Sequence, residues 1–96
     1  MKIDFTKNGT ELTVAIDGRL DTATAPELES FLCENYAGIT ALTFECEKLA
    51  YVSSAGLRVM LTAHKRMRGA MKLTGVNELV KEVLEMTGFA DIWEIA

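Results

Sequence analysis

Hydrophobic residues in this chain recur with a strand-like spacing in some segments and with a helical spacing in others. Apolar and polar residues alternate, as in half-buried strands, at residues 3–5, 12–16 and 42–46. Asn8-Gly9 between the first two segments is a strong cue for a hairpin turn, which makes those two strands antiparallel. Met71-Lys72-Leu73-Thr74 and Ile92-Trp93-Glu94-Ile95 are predicted to form two further short strands.

Three segments with helical spacing lie between these strands, and each has residues that favour a helix start or end. Thr24-Ala25-Pro26-Glu27 has the spacing of a capping box, with proline in the first turn, and predicts a helix to about residue 36. A second helix is predicted from about residue 54 to 68, followed by Gly69, and a third between Asn77 as its cap and Gly88. The core-facing residues expected in the first and third helices are Leu28, Phe31, Leu32, Leu79, Val80, Val83 and Leu84.

The resulting order of elements is β-β-α-β-α-β-α-β over residues 1–96, with short connections and no linker. Strands that alternate with helices favour a sheet with parallel members joined by right-handed crossovers, and the first hairpin makes that sheet mixed. Because each helix has one apolar stripe, we expect the helices to cover the sheet. The sequence therefore predicts one compact α/β domain.

The charge and the cysteine content limit the kinds of partner and compartment. The 96 residues carry 10 Lys and Arg against 14 Asp and Glu, a net charge of −4, which argues against nucleic acid as a partner because phosphate contacts need clustered cations. The basic cluster at residues 64–68 fits the last turn of the second helix. No apolar leader follows Met1 and no apolar run is long enough to cross a membrane, so we expect a cytoplasmic protein without membrane insertion. Cys33 and Cys46 are expected to be small buried hydrophobic residues in a reducing compartment.

The segment 49–61 combines an apolar start, two serines and a helical repeat. Ser53 and Ser54 are followed by Ala55-Gly56 and then by the second helix, which places both hydroxyls at or near its N-terminus. The unpaired N–H groups and the positive end of the helix dipole there favour a capping serine or an anionic group such as a phosphate. Taken alone, this segment favours two capping serines over a regulatory hydroxyl.

Residues suited to catalysis or metal binding are few. His64 is the single histidine and lies in the middle of the second helix, ten residues from Ser54, which corresponds to roughly 15 Å along the helix axis. That separation excludes a hydrogen-bonded Ser–His pair, and the sequence has neither a Gly-x-Ser-x-Gly motif nor a glycine-rich phosphate loop. Cys33, Cys46 and His64 do not have the spacing of a metal site. We therefore expect no catalytic residue, no metal and no cofactor.

Four segments together resemble the anti-sigma-factor antagonist family, whose domain is called STAS. Gly18-Arg19-Leu20-Asp21-Thr22-Ala23-Thr24-Ala25 is similar to the family's Gly-(Glu/Arg)-Leu-Asp segment and helix start. Residues 42–57, ending in Tyr51-Val52-Ser53-Ser54-Ala55-Gly56-Leu57, are similar to its strand–loop–helix with the regulatory serine. Leu73-Thr74-Gly75-Val76-Asn77 and Leu84-Glu85-Met86-Thr87-Gly88-Phe89 are similar to its fourth strand and closing helix. The resemblance implies a STAS fold and a regulatory protein-binding module rather than an enzyme.

Members of this kind bind an anti-sigma factor, which is often also an ATP-dependent serine kinase, and thereby free the sigma factor. Phosphorylation by that kinase weakens the complex, and a metal-dependent phosphatase of the PP2C type reverses it. By the same resemblance the phosphoacceptor is Ser54, two residues before the glycine, with Ser53 as the second choice. The protein is expected to be a monomer. The residues expected at the partner surface are Asp21, Thr22, Ser53, Ala55, Gly56, Leu57 and Arg58.

This chain departs from many family members at one position, where Ser53 stands in place of an aspartate before the phosphoacceptor. Two candidate acceptors therefore lie side by side. Two other functions remain open beside the phosphorylation switch. One is a STAS scaffold subunit of a signalling, transporter or lipid-trafficking complex, without a working phosphorylation site. The other is a small serine hydrolase, which has little support because the sequence lacks a Ser–His pair and a Gly-x-Ser-x-Gly motif.

Overall fold

The computed structural model describes residues 1–96 and contains six β-strands and three α-helices. The strands are β1 (Lys2–Asn8), β2 (Glu11–Leu20), β3 (Ala41–Glu45), β4 (Leu49–Val52), β5 (Met71–Thr74) and β6 (Glu94–Ile95). The helices are α1 (Ala25–Asn35), α2 (Ser54–Arg66) and α3 (Glu78–Thr87), and a short 3₁₀ turn covers Phe89–Asp91.

The strands form a mixed sheet in which β2 contacts three neighbours. β1 pairs antiparallel with β2 through the predicted hairpin, and β3, β5 and β6 follow on the other side, each parallel to the one before. β2 changes partner along its length: residues 11–15 pair with β3, and residues 18–20 pair with β4 after an irregularity between Gly18 and Arg19. The predicted α/β class, with a mixed sheet and three helices, is confirmed.

One face of the sheet carries the hydrophobic core, and the other face is more exposed. Along β2, Leu12, Val14 and Ile16 are buried, whereas the residues between them point to the opposite face. Strands β3 and β5 show the same alternation. The helices contribute their buried residues to the same core cluster, and no polar or charged residue is buried with them. The helices therefore cover the apolar face, as the sequence predicts.

The structure adds one strand, β4, to the predicted order. Its four residues do not alternate strictly in burial, because Leu49 and Val52 are buried, Tyr51 is half-buried and Ala50 is exposed. This apolar segment forms a strand because it pairs with the end of β2. The last strand is shorter than predicted, since Ile92 is exposed and only two residues pair with β5.

Two expectations about burial are wrong. Cys33 is exposed, because it follows the buried Leu32 on α1 and is therefore turned by about 100° around the helix. Leu79 is 52% exposed, because the buried side of α3 begins with Val80, one residue further along. Cys46 is buried as expected, and this burial raises the pKa of its thiol to about 12. None of the helices is both long and apolar enough to cross a membrane.

Candidate regulatory site at the start of helix α2

Helix α2 begins directly against the end of β2. The backbone N–H of Ser53 donates to the carbonyl oxygen of Leu20 over 2.9 Å, so the strand-like backbone pairing continues to the residue before the helix. Three residues later, a Cβ atom on Gly56 would lie 2.7 Å from Leu20 Cγ and 3.0 Å from the Leu20 carbonyl oxygen. Glycine is therefore required by the close approach of the first turn of α2 to β2.

The two serines at this helix start have different environments. Ser53 is the N-cap, with extended backbone angles of φ −94° and ψ 175°, and its Oγ accepts a hydrogen bond from the N–H of Gly56 over 3.3 Å. Ser54 is the first helical residue and is exposed. Its hydroxyl is bonded to no group of the chain and faces solvent. The capping role thus belongs to Ser53, and the hydroxyl of Ser54 is the accessible one.

The loop between β2 and α1 is held by Asp21. Its Oδ1 accepts hydrogen bonds from the N–H groups of Ala23 over 3.0 Å and Thr24 over 3.1 Å. The bond from the Thr24 backbone, against a smaller opposing effect of desolvation, lowers the pKa of the Asp21 carboxyl below its ordinary value. Because Leu20 also bonds to Ser53, this loop lies beside the start of α2.

Thr24 does not form the predicted capping box. Its side chain makes no cap hydrogen bond to the first turn of α1. Its Oγ1 instead donates to the carbonyl oxygen of Arg19 over 2.8 Å and accepts from the N–H of Asp21 over 2.9 Å. The hydroxyl therefore closes the loop after β2, and this competing bond is the reason that the capping box is absent.

Arg19 and Tyr51 form a contact near this site that the sequence pattern does not reveal. Their strands pair them directly, and the Arg19 guanidinium lies 4.4 Å from the centre of the Tyr51 ring. Arg19 Nε also lies 3.7 Å from Asp21 Oδ2, in a solvent-exposed ion pair. The contact depends on β4 lying beside β2, and the residues of β4 alone do not indicate that pairing.

The structure divides the expected partner-surface residues by exposure. Thr22 and Arg58 are exposed, as is the expected phosphoacceptor Ser54, and Asp21, Ser53 and Ala55 are half-buried. Gly56 and Leu57 are buried, with only 5% of Leu57 exposed. These two residues lie on the side of α2 that faces the core.

Sequence comparison relates this chain to one known family of proteins. Residues 2–96 match the STAS domain family. The chain is 33% identical over 100 residues to BtrV of Bordetella bronchiseptica, provisionally named an anti-sigma factor antagonist, with 100% of this chain and 86% of BtrV covered. It is 26% identical over 99 residues to the anti-sigma-B factor antagonist of Bacillus subtilis, with 100% of this chain and 91% of that protein covered.

The fold is similar to that of SpoIIAA, a Bacillus cell fate determinant and anti-sigma factor antagonist. The TM-score to its unphosphorylated form is 0.85 at 14% identity, over 99% of this chain and 88% of SpoIIAA. The TM-score to its phosphorylated form is 0.76 at 13% identity, over 99% and 91% of the two chains. With the family match and the identity to BtrV, the chain belongs to the STAS domain family, among the anti-sigma factor antagonists.

Proposed function

We propose that this protein is a phosphorylation-switched antagonist that binds an anti-sigma factor when Ser54 is unphosphorylated. Binding withdraws the anti-sigma factor from its sigma factor, which is then free to act. The anti-sigma factor is also the serine kinase that modifies Ser54, and a phosphatase of the PP2C type removes the phosphate. The names of the similar proteins support the antagonist role, and the geometry of the helix start supports the choice of residue.

The accessible hydroxyl of Ser54 is the observation that carries the proposal. A kinase needs an exposed hydroxyl that can leave its surroundings without breaking structure. Ser54 is exposed and has no bond to lose, whereas Ser53 is half-buried and caps α2 through its bond from Gly56. Phosphorylation of Ser53 would place a bulky dianion at the half-buried junction between α2 and the end of β2. The structure therefore favours Ser54 as the acceptor.

The position of Ser54 also supports a switch that acts at the surface and leaves the fold intact. A phosphate adds about −1.5 to −2 charges at neutral pH. At the first residue of a helix this charge meets the positive end of the dipole and free backbone N–H groups, so the helix tolerates it. A partner docked over the same residues would instead meet added bulk and charge, which can cost several kcal/mol at an interface.

Phosphorylation of Ser54 can be tested with a serine kinase of the anti-sigma type. We expect ATP and that kinase to add one phosphate to the tryptic peptide 49–58, detected by mass spectrometry. Ser54→Ala should abolish the modification, and the matched variant Ser53→Ala should retain it. An active kinase that modifies neither serine, or modifies Ser53 alone, contradicts the proposal and favours a scaffold function.

Partner binding provides the second test. We expect Ser54→Ala to retain affinity for the anti-sigma factor, measured by calorimetry, and Ser54→Asp to weaken it by about tenfold or more. Phosphorylated wild-type protein should bind still more weakly, because a phosphate carries more charge than a carboxylate. Equal affinities of the wild type and Ser54→Asp, together with loss of binding in Ser54→Ala, would contradict a switch at this residue.

A further inference from the structure

We propose that Arg58 has two roles at this site, one in each state of Ser54. In the unphosphorylated protein its guanidinium binds a carboxylate of the partner. In the phosphorylated protein the same guanidinium is the counter-ion of the phosphate on Ser54 and is withdrawn from the partner surface. This inference rests on the proposed phosphorylation of Ser54 and specifies how that phosphate weakens binding.

The spacing of the two residues on α2 supports the contact between them. Arg58 follows Ser54 by four residues on a continuous helix, so their Cβ atoms lie about 5–6 Å apart on the same side. Long side chains in helices lean toward the N-terminus, which directs the guanidinium back toward Ser54. An acidic group that precedes a cation by four residues is also the more stabilising orientation of such a pair.

The guanidinium of Arg58 is available for this role. Arg58 is exposed, and the ion pair beside the site joins Arg19 to Asp21 and leaves Arg58 out. The positions three and four residues away on α2 are Ser54, Ala55, Leu61 and Thr62, and α2 contains no acidic residue at all. The bond from Thr62 Oγ1 engages only the backbone carbonyl of Arg58, over 3.1 Å. No carboxylate of its own helix therefore competes for the guanidinium.

The charge at this surface changes sign when Ser54 is phosphorylated. In the unphosphorylated state the exposed Arg58 and the helix N-terminus present positive potential, which fits a carboxylate on the partner. A phosphate at Ser54 brings about −1.5 to −2 charges and three acceptor oxygens within reach of a guanidinium that donates several hydrogen bonds. The local charge becomes negative, and the cation that attracted the partner is occupied.

A phosphoserine placed genetically at residue 54 tests the contact without any kinase. We expect the phosphate of the otherwise wild-type protein to titrate by ³¹P NMR at a pKa about 0.5 lower than in Arg58→Gln, because a nearby cation favours the dianion. Lys65→Gln is the matched control, because it removes the same charge from α2 at a point about 16 Å along the helix axis from Ser54. At physiological salt this change should leave the titration of the phosphate unchanged. Equal titration midpoints in the wild type and Arg58→Gln would overturn the proposal.

The same variant tests the role of Arg58 toward the partner. We expect Arg58→Gln to weaken binding of the unphosphorylated protein to the anti-sigma factor by about fivefold to tenfold and to reduce its salt dependence. Arg58→Lys should retain most of the affinity, and Lys65→Gln should retain all of it. The loss of affinity on phosphorylation should also be smaller in Arg58→Gln than in the wild type. Unchanged affinity of unphosphorylated Arg58→Gln would overturn the proposal.

The two experiments separate this inference from the proposed function. If the kinase does not modify Ser54, the proposed switch fails, although the genetically placed phosphoserine still shows whether Arg58 contacts a phosphate. If the kinase modifies Ser54 but Arg58→Gln changes neither the titration nor the affinity, the switch stands and the role of Arg58 is wrong.

Discussion

Helices α2 and α3 start in nearly the same way, and only one of them starts with a modifiable residue. Both follow a strand and have an N-cap with extended backbone angles, Ser53 in α2 and Asn77 in α3. In both, the cap side chain accepts a hydrogen bond from the N–H three residues later, over 3.3 Å from Gly56 and 2.8 Å from Val80.

The two starts differ in what surrounds the cap. In α3, Asn77 Nδ2 also donates to the carbonyl oxygen of Leu49 over 2.7 Å, and the first helical residue is Glu78. In α2 the side chain of the cap has no second bond, and the first helical residue is Ser54. Helix α3 thus carries a permanent negative charge at its positive dipole end, whereas α2 has a hydroxyl at the same position. Phosphorylation would give α2, reversibly, the charge that α3 always has.

The largest effect is expected from Gly56→Ala, because Gly56 lies in the first turn of α2 where that helix approaches β2 most closely. The added methyl group would lie 2.7 Å from Leu20 Cγ and 3.0 Å from the Leu20 carbonyl oxygen, so α2 must move away from β2. We expect the free energy of unfolding, measured with urea, to fall by about 2–3 kcal/mol. An exposed helical glycine would behave in the opposite way, since alanine there stabilises by up to about 1 kcal/mol. A variant as stable as the wild type would show that the contact is not tight.

The caps themselves should differ in strength. We expect Asn77→Ala to lower the free energy of unfolding by about 2 kcal/mol, because it removes both the cap and the bond to Leu49. Ser53→Ala should cost about 0.5–1 kcal/mol, because a single longer bond is lost. Urea titrations of both variants under one set of conditions measure the difference. Equal costs would mean that the bond to Leu49 contributes nothing to stability.

Opposite charge changes at the first residue of each helix should have small and opposite effects. We expect Ser54→Asp to raise the free energy of unfolding by about 0.5 kcal/mol and Glu78→Gln to lower it by a similar amount, since both act on the helix dipole. In a domain of this size that corresponds to shifts of the melting temperature of about 2–4 °C. Both shifts should shrink in about 1 M salt. Destabilisation by Ser54→Asp would contradict a switch that leaves the fold intact.

The start of α1 depends on a loop carboxylate, and its contribution to stability should depend on pH. The pKa of Asp21 is lowered in the folded protein, chiefly by the bond from the Thr24 backbone, so its stabilising effect is full above about pH 4. The effect is lost as the pH falls through the lowered folded value. We expect Asp21→Asn to be less stable than the wild type at pH 7 and equally stable once the wild-type carboxyl is protonated. Urea titrations across this pH range measure the difference, and a constant difference would contradict the assignment.

Features that depend on neighbouring residues in sequence could be predicted. The hairpin at Asn8-Gly9 and the cap at Asn77 are confirmed, and Gly88 ends α3 with a φ of 83° that favours glycine. The start of α2 at Ser54 is also confirmed. These features follow from local geometry, in which a few adjacent residues decide the backbone conformation.

Features that depend on contacts between distant segments could not be predicted. Strand β4 exists because β2 continues past β3, and nothing within residues 49–52 shows that a partner is there. The exposure of Leu79 follows from which side of α3 meets the core, and the apolar run in the sequence fits either side. The hydroxyl of Thr24 donates to the carbonyl oxygen of Arg19 because the loop between β2 and α1 brings the two groups together. The sequence alone does not specify the shape of that loop.

At the site itself, the preference for Ser54 over Ser53 as phosphoacceptor rests on family resemblance, and the structure shows that the two serines have different surroundings. The sequence shows two adjacent hydroxyls without distinguishing them. The backbone of Ser53 is extended, so its side chain turns toward the helix axis and caps it, whereas Ser54 is already helical and points outward. The sequence predicts Arg58 at the partner surface, and the proposed pairing with Ser54 rests on their four-residue spacing on a continuous helix without acidic residues.

The close approach of Gly56 to Leu20 has a consequence for the entropy of association. A helix start that is bonded to β2 at Ser53 and packed on it at Gly56 has little freedom to lose when a partner binds. Ordering a mobile segment would consume part of the interaction energy, at about 0.5–1.5 kcal/mol for each immobilised side chain. A rigid start of α2 avoids that cost. Under the proposed switch, a modest contact area around Ser54 would therefore suffice for binding, and a single phosphate there would remove a large share of the affinity.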